Sequence, residues 1–400
     1  QTPPAFSPPP PTGKQRKGLR MALIAFVIIL LLGSGLGGLY LLRRNIPAVA
    51  SNQIRGHAIF ISSGIISEQS NQGINDELQI DLQNISNPAP GTSYYAWLLG
   101  DASQPLSPPI LLGKLTVSNG QVHFHYPGDS HHTNLTAITS RFLITEESAN
   151  TLPSVPSPDR STWRFYAQLP QTPDSMDMAH AGVLQHVRHL LADAPELMSI
   201  NLLGGLDIWL FRNAEKILEW SGSARDSWQK QDTNLIHGQL LRILDYLDGK
   251  MYIQQDVPAG SPDLVNPRIA PLALLEFDEQ KQQPPGLLYL TGIHLTALAQ
   301  APGISEDKHK LAGQIDQGIN NVQAWLEQVH QDAKQLVGLT DQQLLTQNAL
   351  SMLDDMFSNA LYAFIGRPDP STGQIQAGVI QVHYNIQGLA TYDISPYQPG

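Results

Sequence analysis

Three histidines lie close together in the sequence, at His180, His186 and His189. His186 and His189 are three residues apart, so on a helix both side chains lie on the same face. Imidazole nitrogens bind zinc, copper and iron, and carboxylates from a neighbouring helix could complete the coordination. The spacing predicts a divalent metal site, and the candidate partners elsewhere in the chain are Asp207, Glu215, Glu219 and His237.

A simpler interpretation of these histidines stays open. His186 and His189 flank the apolar face of the predicted helix and do not lie opposite it. On this interpretation they line the solvated side of an amphipathic helix and bind no metal. The apolar face consists of Val183, Leu184, Val187, Leu190 and Leu191.

A second histidine group comprises His123, His125, His131 and His132. Side chains alternate across a strand, so His123 and His125 point to the same face. The other two follow in a predicted loop and could approach that face. This group is a second candidate metal site, and the alternative is a set of ordinary surface histidines.

Common enzyme motifs are absent from the sequence. It contains no His-Glu-x-x-His, no Gly-x-Ser-x-Gly, no phosphate-binding loop and no dinucleotide-binding glycine pattern. Asp354 and Asp355 are adjacent, so on a helix they diverge by about 100° and cannot share one water. The chain has no cysteine, which excludes a thiolate nucleophile. We therefore predict no catalytic residue, no organic cofactor and no enzymatic activity.

The elements that must position these residues differ between the two halves of the chain. In the first half Leu78, Ile80 and Leu82 alternate with polar residues, which indicates a half-buried strand. Several such segments, separated by turns such as Ser118-Asn119-Gly120, predict a β-sandwich over residues 57–170.

After Pro170 the apolar period becomes 3.6 residues. The clearest stripe covers residues 311–336, with a start signal at Ser305 and a stop signal at Gly338. Further stripes of this kind predict an all-α helical bundle over residues 171–395.

Residues 21–42 carry no charge and are strongly apolar. A helix of this length is about 33 Å long, enough to cross a hydrocarbon core of about 30 Å. Four basic residues precede this segment and two follow it at once, which predicts a cytoplasmic N-terminus. Residues 1–20 are then a disordered, proline-rich cytoplasmic tail, and residues 43–56 are a linker. The expected location is the cell membrane, with the domains after the span outside the cytoplasm.

The composition limits the partners. The chain has 400 residues and a net charge of −11, which argues against nucleic acid. The predicted fold class is α+β: a single N-terminal transmembrane helix, then an all-β sandwich domain, then an all-α helical bundle.

Three short segments resemble the extracytoplasmic domain of the anti-sigma-K factor family. They are Pro90–Leu99 (PGTSYYAWLL), Leu112–Leu115 (LGKL) and Arg141–Glu146 (RFLITE), and the resemblance covers about residues 57–168. It implies a single-pass regulator whose outer domain senses or transmits a signal, with a protein partner such as a sigma-factor system. The helical half resembles no family that we can name.

Three functions follow from these observations. The first is a membrane-anchored, extracytoplasmic, non-catalytic sensory or regulatory protein with an unknown ligand. The second is a surface-displayed helical bundle that binds a metal or a small ligand, with the β-domain as a spacer. The third is an extracellular hydrolase, which would need a polar constellation that the sequence does not reveal.

Overall fold

The alternating segment around Leu78, Ile80 and Leu82 forms a strand, and all three of these side chains are buried. In the computed structural model, residues 54–399 are described, except 66–69, 105–106, 174–180, 251, 266–268, 270 and 276–285. The strands are β1 Gly56–Ile61, β2 Glu77–Gln83, β3 Thr92–Leu99, β4 Ile110–Leu115, β5 Gln121–Tyr126, β6 Arg141–Ser148, β7 Trp163–Gln168, β8 Arg367–Pro368, β9 Ile375–Gln376 and β10 Tyr392–Pro396.

Eight strands form one antiparallel sheet in the order β4-β3-β6-β7-β10-β1-β2-β5, and β8 and β9 pair separately. Strand β10 lies between β1 and β7, with Gly56 opposite Ile394 and Phe165 opposite Pro396. Its residues Tyr392 and Ile394 are fully buried, so this strand contributes to the core as well as to the hydrogen bonding.

The two outer strands of this order approach each other and make the sheet barrel-like. Gly113 of β4 has φ of +150°, and a Cβ atom there would lie 2.8 Å from Cζ of Phe124 in β5. Only glycine allows this approach, because it lacks the side chain that would meet the Phe124 ring.

The helices are α1 Leu135–Ile138, α2 Val183–Leu191, α3 Pro195–Met198, α4 Leu206–Gln229, α5 Thr233–Asp248, α6 Leu287–Gln300, α7 Glu306–Val337, α8 Asp341–Leu344, α9 Gln347–Ile365 and α10 Val379–Leu389. The predicted long helix is confirmed as α7, which begins after Ser305 and ends before Gly338. The Ser305 hydroxyl accepts a hydrogen bond from the Lys308 amide and so caps the helix start. Helix α7 packs against α5, α6, α9 and α10.

The predicted fold class is wrong. The strands form a single barrel-like antiparallel sheet and not a sandwich, and its β10 follows the helices in the chain. The described residues include no helix long and apolar enough to cross a membrane, and the predicted span, 21–42, lies outside them. The predicted helical bundle extends to residue 395 and so misses strand β10. A strand of five residues is too short for its two-residue alternation to be recognised directly after a helical stripe.

Strands and helices share one hydrophobic core. The buried side chains of β1, β2 and β6 belong to the same cluster as those of α2, α4 and α7. Arg188 of α2 joins the two parts through a two-pronged ion pair with Asp101, at 2.7 and 2.8 Å. The Asn134 side-chain amide also donates to the Leu191 carbonyl oxygen at 2.8 Å. These contacts fix α2, and therefore its histidines, against the sheet.

Candidate functional site

Helix α2 presents its apolar face to the core, as its sequence predicts. Val187 and Leu190 are buried, and the helix begins where the Gly182 amide donates to Oε1 of Gln185 at 3.0 Å. Because this face is fixed, His186 and His189 lie next to each other along one side of it. His186 is only 3% exposed and His189 is half-buried, so neither is an ordinary surface histidine.

A third histidine, His294 of α6, meets this pair. The two Nδ1 atoms of His186 and His294 are 3.0 Å apart. The ring centre of His294 lies 4.8 Å from that of His189 and 5.3 Å from that of His186. One nitrogen from each of the three rings falls within 4.8 Å of the others. We call these residues the three-histidine site.

Glu196 of α3 lies on the far side of the His294 ring. Its Oε1 is 3.9 Å from Nε2 of His294, whereas Nδ1 of the same ring faces His186. Its Oε2 is buried and has no hydrogen-bond partner among the described residues. A carboxylate behind a metal-binding imidazole accepts the proton of the non-binding nitrogen and holds the ring in place. At 3.9 Å, Oε1 of Glu196 is within ion-pair range of Nε2 but beyond hydrogen-bond distance, so Glu196 would have to move slightly closer to act as an outer carboxylate.

The donor set fits zinc better than other common ions. Two nitrogens that each lie about 2.1 Å from a tetrahedral zinc ion are about 3.4 Å apart, close to the spacing of His186 and His294. Zinc sites built from three histidines leave a fourth position for water or a further ligand. Hard ions such as Mg²⁺ and Ca²⁺ prefer oxygen, which this site does not offer directly.

The predicted partners of the histidines lie elsewhere. Asp207 accepts from Nδ1 of buried His383 at 2.7 Å, and Glu219 pairs with Lys216 on the helix surface. His237 lies 3.6 Å from a carboxylate oxygen of Asp341. Burial raises the pKa of Glu215, which is in none of the metal-compatible groups of the described residues. His180 lies outside the described residues.

The second histidine group does not converge in the structure. His123 contacts Asp81 at 2.6 Å, and His125 contacts Glu77 at 2.8 Å, both across the β2–β5 pair. His132 instead contacts Asp76 at 2.9 Å. Each of these imidazoles thus has its own carboxylate, and they form no metal-compatible group within the part of the chain that the structure describes.

One arrangement has the residue types of a hydrolytic triad without its geometry. The Ser63 hydroxyl is 3.4 Å and the Asp76 carboxylate 2.9 Å from the same atom, Nδ1 of His132. A catalytic histidine uses one ring nitrogen for the nucleophile and the other for the acid. These three residues therefore do not form a proton relay.

Sequence reasoning missed His294 and Glu196. His294 is 108 residues from His186, and only the packing of α6 on α2 brings them together. A signal was present: His294 is the one imidazole in the mostly apolar segment Leu287–Ala299, which has no charged residue.

Comparisons with protein-family models, with curated proteins and with solved structures find no match to this chain. The resemblance of residues 57–168 to the anti-sigma-K factor family therefore stays a prediction.

Proposed function

We propose that this protein binds a divalent transition-metal ion, with zinc as the best fit, at the three-histidine site. The observation that supports this most is the convergence of His186, His189 and His294 from two separate helices. Imidazoles are rarely grouped away from water without a reason, because each buried polar nitrogen needs a partner. Nδ1 of His186 and Nδ1 of His294 already lie at hydrogen-bond distance from each other, and a metal ion would replace this contact by binding one nitrogen of each ring.

Binding would connect distant parts of the chain. Helix α6 would be tied to α2, and α2 is already fixed to the sheet by the pair of Arg188 and Asp101. The ion would therefore stabilise the packing of the helices on the sheet. Such an effect is expected of a binding protein whose folding stability increases when the metal is bound. The regulatory role implied by the family resemblance is a separate proposal, for which bound metal would be a candidate signal.

The test uses the full chain, stripped of metal with a chelator and then titrated with zinc against a competing dye. We expect one zinc ion per chain to bind at this site in the unchanged protein. The double variant His186→Ala, His189→Ala and the single variant His294→Ala should each lose it. The matched control is His123→Ala, His125→Ala, which removes two histidines that have their own carboxylates and should keep the zinc.

Cobalt gives an independent readout. A Co²⁺ ion at the three-histidine site should show the intense visible bands of tetrahedral coordination, and these bands should disappear in His294→Ala. Equal zinc binding in the control and in the double variant would contradict the proposal, as would a full chain that takes up no zinc.

A further inference from the structure

A second group of possible ligands is formed by residues of other helices and of the loop after α5. Asp248 is the last residue of α5, Asp256 follows the short 3-10 turn Ile253–Gln255, and His330 lies in the C-terminal half of α7. Nε2 of His330 is 2.8 Å from Oδ1 of Asp248 and 2.9 Å from Oδ2 of Asp256. Asp248 is 3% exposed and Asp256 is 8% exposed.

These short contacts are not directed as hydrogen bonds. Nε2 of His330 and Oδ2 of both Asp248 and Asp256 are buried, and none has a hydrogen-bond partner among the described residues. Short distances between atoms that are not hydrogen-bonded to each other are expected where those atoms direct their lone pairs at one bound ion.

The separations match neighbouring ligands of a six-coordinate ion. Two ligand atoms about 2.1 Å from an ion and at right angles lie about 3.0 Å apart. The distances of 2.8 and 2.9 Å from the imidazole nitrogen to the two carboxylate oxygens are close to this value. The nitrogen of His330 and one oxygen each from Asp248 and Asp256 would occupy three of the six coordination positions. Water would occupy the remaining three.

Further charged groups surround these ligands. Asp245 lies one helical turn before Asp248 and is 1% exposed, and both of its carboxylate oxygens are buried without a hydrogen-bond partner among the described residues. Lys334 approaches Oδ1 of Asp256 at 2.5 Å, but its side chain is half exposed and leaves Oδ2 of that carboxylate to face His330. Burial raises the pKa of Asp245 to about 7 and also raises that of Asp248, so Asp245 does not count as a full negative charge at neutral pH. The carboxylates of Asp248 and Asp256 face the ammonium of Lys334 and the imidazole of His330.

We infer that Asp248, Asp256 and His330 form a second metal site, for a six-coordinate first-row divalent ion such as Mn²⁺. Two carboxylates and water suit Mn²⁺, and the single imidazole disfavours Mg²⁺ and Ca²⁺, which prefer all-oxygen sites. This second site shares no residue with the three-histidine site. It also differs in chemistry, since the three-histidine site offers nitrogen ligands and suits tetrahedral zinc.

The experiment titrates Mn²⁺ into the chelator-treated full chain and follows free Mn²⁺ by electron paramagnetic resonance. We expect one bound Mn²⁺ per chain in the unchanged protein and in the variant His186→Ala, His189→Ala. The variant Asp248→Asn, Asp256→Asn should bind at least about 100-fold more weakly. His330→Gln should weaken Mn²⁺ binding to the same extent. If circular dichroism shows that the double variant does not fold, His330→Gln is the variant that tests the site.

The matched control is Asp263→Asn, which removes a nearby carboxylate that pairs with Lys250 and is not a ligand. It should leave Mn²⁺ binding unchanged. Absence of Mn²⁺ binding in the unchanged protein would overturn the inference, and so would equal binding in folded His330→Gln. Either result would make the group an ion-pair network with a protonated His330. Because the His186→Ala, His189→Ala variant keeps the second site, failure of one site is distinguishable from failure of the other.

Discussion

The proposed zinc ligand His294 has two ring nitrogens with different surroundings. Nδ1 faces His186, and Nε2 faces the carboxylate of Glu196. An ionised Glu196 favours the tautomer with the proton on Nε2, which leaves the lone pair on Nδ1 for a metal. Metal affinity at the three-histidine site should therefore depend on a residue that does not touch the metal.

Glu196→Gln tests this dependence. We expect zinc affinity to fall about 10- to 100-fold while the stoichiometry stays at one, because the ring loses its orienting charge but keeps its position. A chelator-competition titration measures the change. Asp193→Asn is the matched control, since Asp193 is an exposed carboxylate on the same segment that bonds only weakly to Asn71 at 3.4 Å. Equal affinity in Glu196→Gln and the control would rule out the outer-carboxylate role.

The pair of Arg188 and Asp101 predicts a pH dependence. Hydrogen bonds from the Arg188 guanidinium hold the pKa of Asp101 below its ordinary value of 3.8. A carboxylate with a lowered pKa in the folded state stabilises the fold above its unfolded pKa and loses this contribution as the pH falls through the folded value. The contribution should be complete at pH 6, should begin to fall near the unfolded pKa of about 3.9, and should be lost only as the pH falls through the lower folded pKa.

Asp101→Asn should therefore destabilise the protein at pH 6 by about 2–4 kcal/mol, because Arg188 is left half-buried without its partner. The difference from the unchanged protein should shrink towards pH 2. Urea unfolding at several pH values measures both effects. Glu219→Gln is the control: its exposed ion pair with Lys216 should contribute less than about 1 kcal/mol at any pH. A difference that stays constant from pH 6 to pH 2 would contradict the linkage.

Two glycines, one in a strand and one in a helix, should respond in opposite ways to substitution by alanine. Gly113→Ala in β4 would place a Cβ atom 2.8 Å from the Phe124 ring, at a φ of +150° that other residues rarely adopt. We expect a loss of about 2–4 kcal/mol, from backbone strain and from displacement of the ring. Gly313→Ala in α7 meets nothing within 4 Å and should stabilise the helix by about 1 kcal/mol. Thermal unfolding compares the two, and a Gly113→Ala variant as stable as Gly313→Ala would contradict the close approach of β4 and β5.

Sequence periodicity predicted single elements better than their assembly. The β2 alternation and the capped α7 stripe are both visible in the structure, since each depends on residues within one element. His186 and His189 could be placed on one helix side for the same reason. The meeting with His294 could not, because it depends on how α6 packs against α2. Helix packing follows from surface shape along the whole chain and has no local signature.

At the scale of the whole molecule, β10 makes the sheet dependent on residues beyond the helices. It supplies the hydrogen-bonding partner of both β1 and β7, and without it two edges of the sheet would be unpaired. Deleting residues 391–400 should therefore abolish cooperative unfolding and greatly increase proteolysis within residues 54–173. Calorimetry and limited trypsin digestion test this.

The control for this deletion removes only residues 398–400, which follow β10. This shorter deletion should unfold cooperatively, near the temperature of the unchanged protein. A fragment of residues 54–173 should fold poorly alone and gain structure when a peptide of residues 389–399 is added. A stable, protease-resistant fragment without the peptide would show that β10 is dispensable.

The position of β10 also matters while the polypeptide is being made. A ribosome releases β1 and β7 well before it translates the codons of β10, so a nascent chain carries two strand edges that are open to pairing with other chains. The intervening helices must be synthesised before those edges are covered. We therefore expect slow or stalled translation between codons 170 and 390 to favour aggregation, and chaperones that shield exposed strands to raise the yield of native protein.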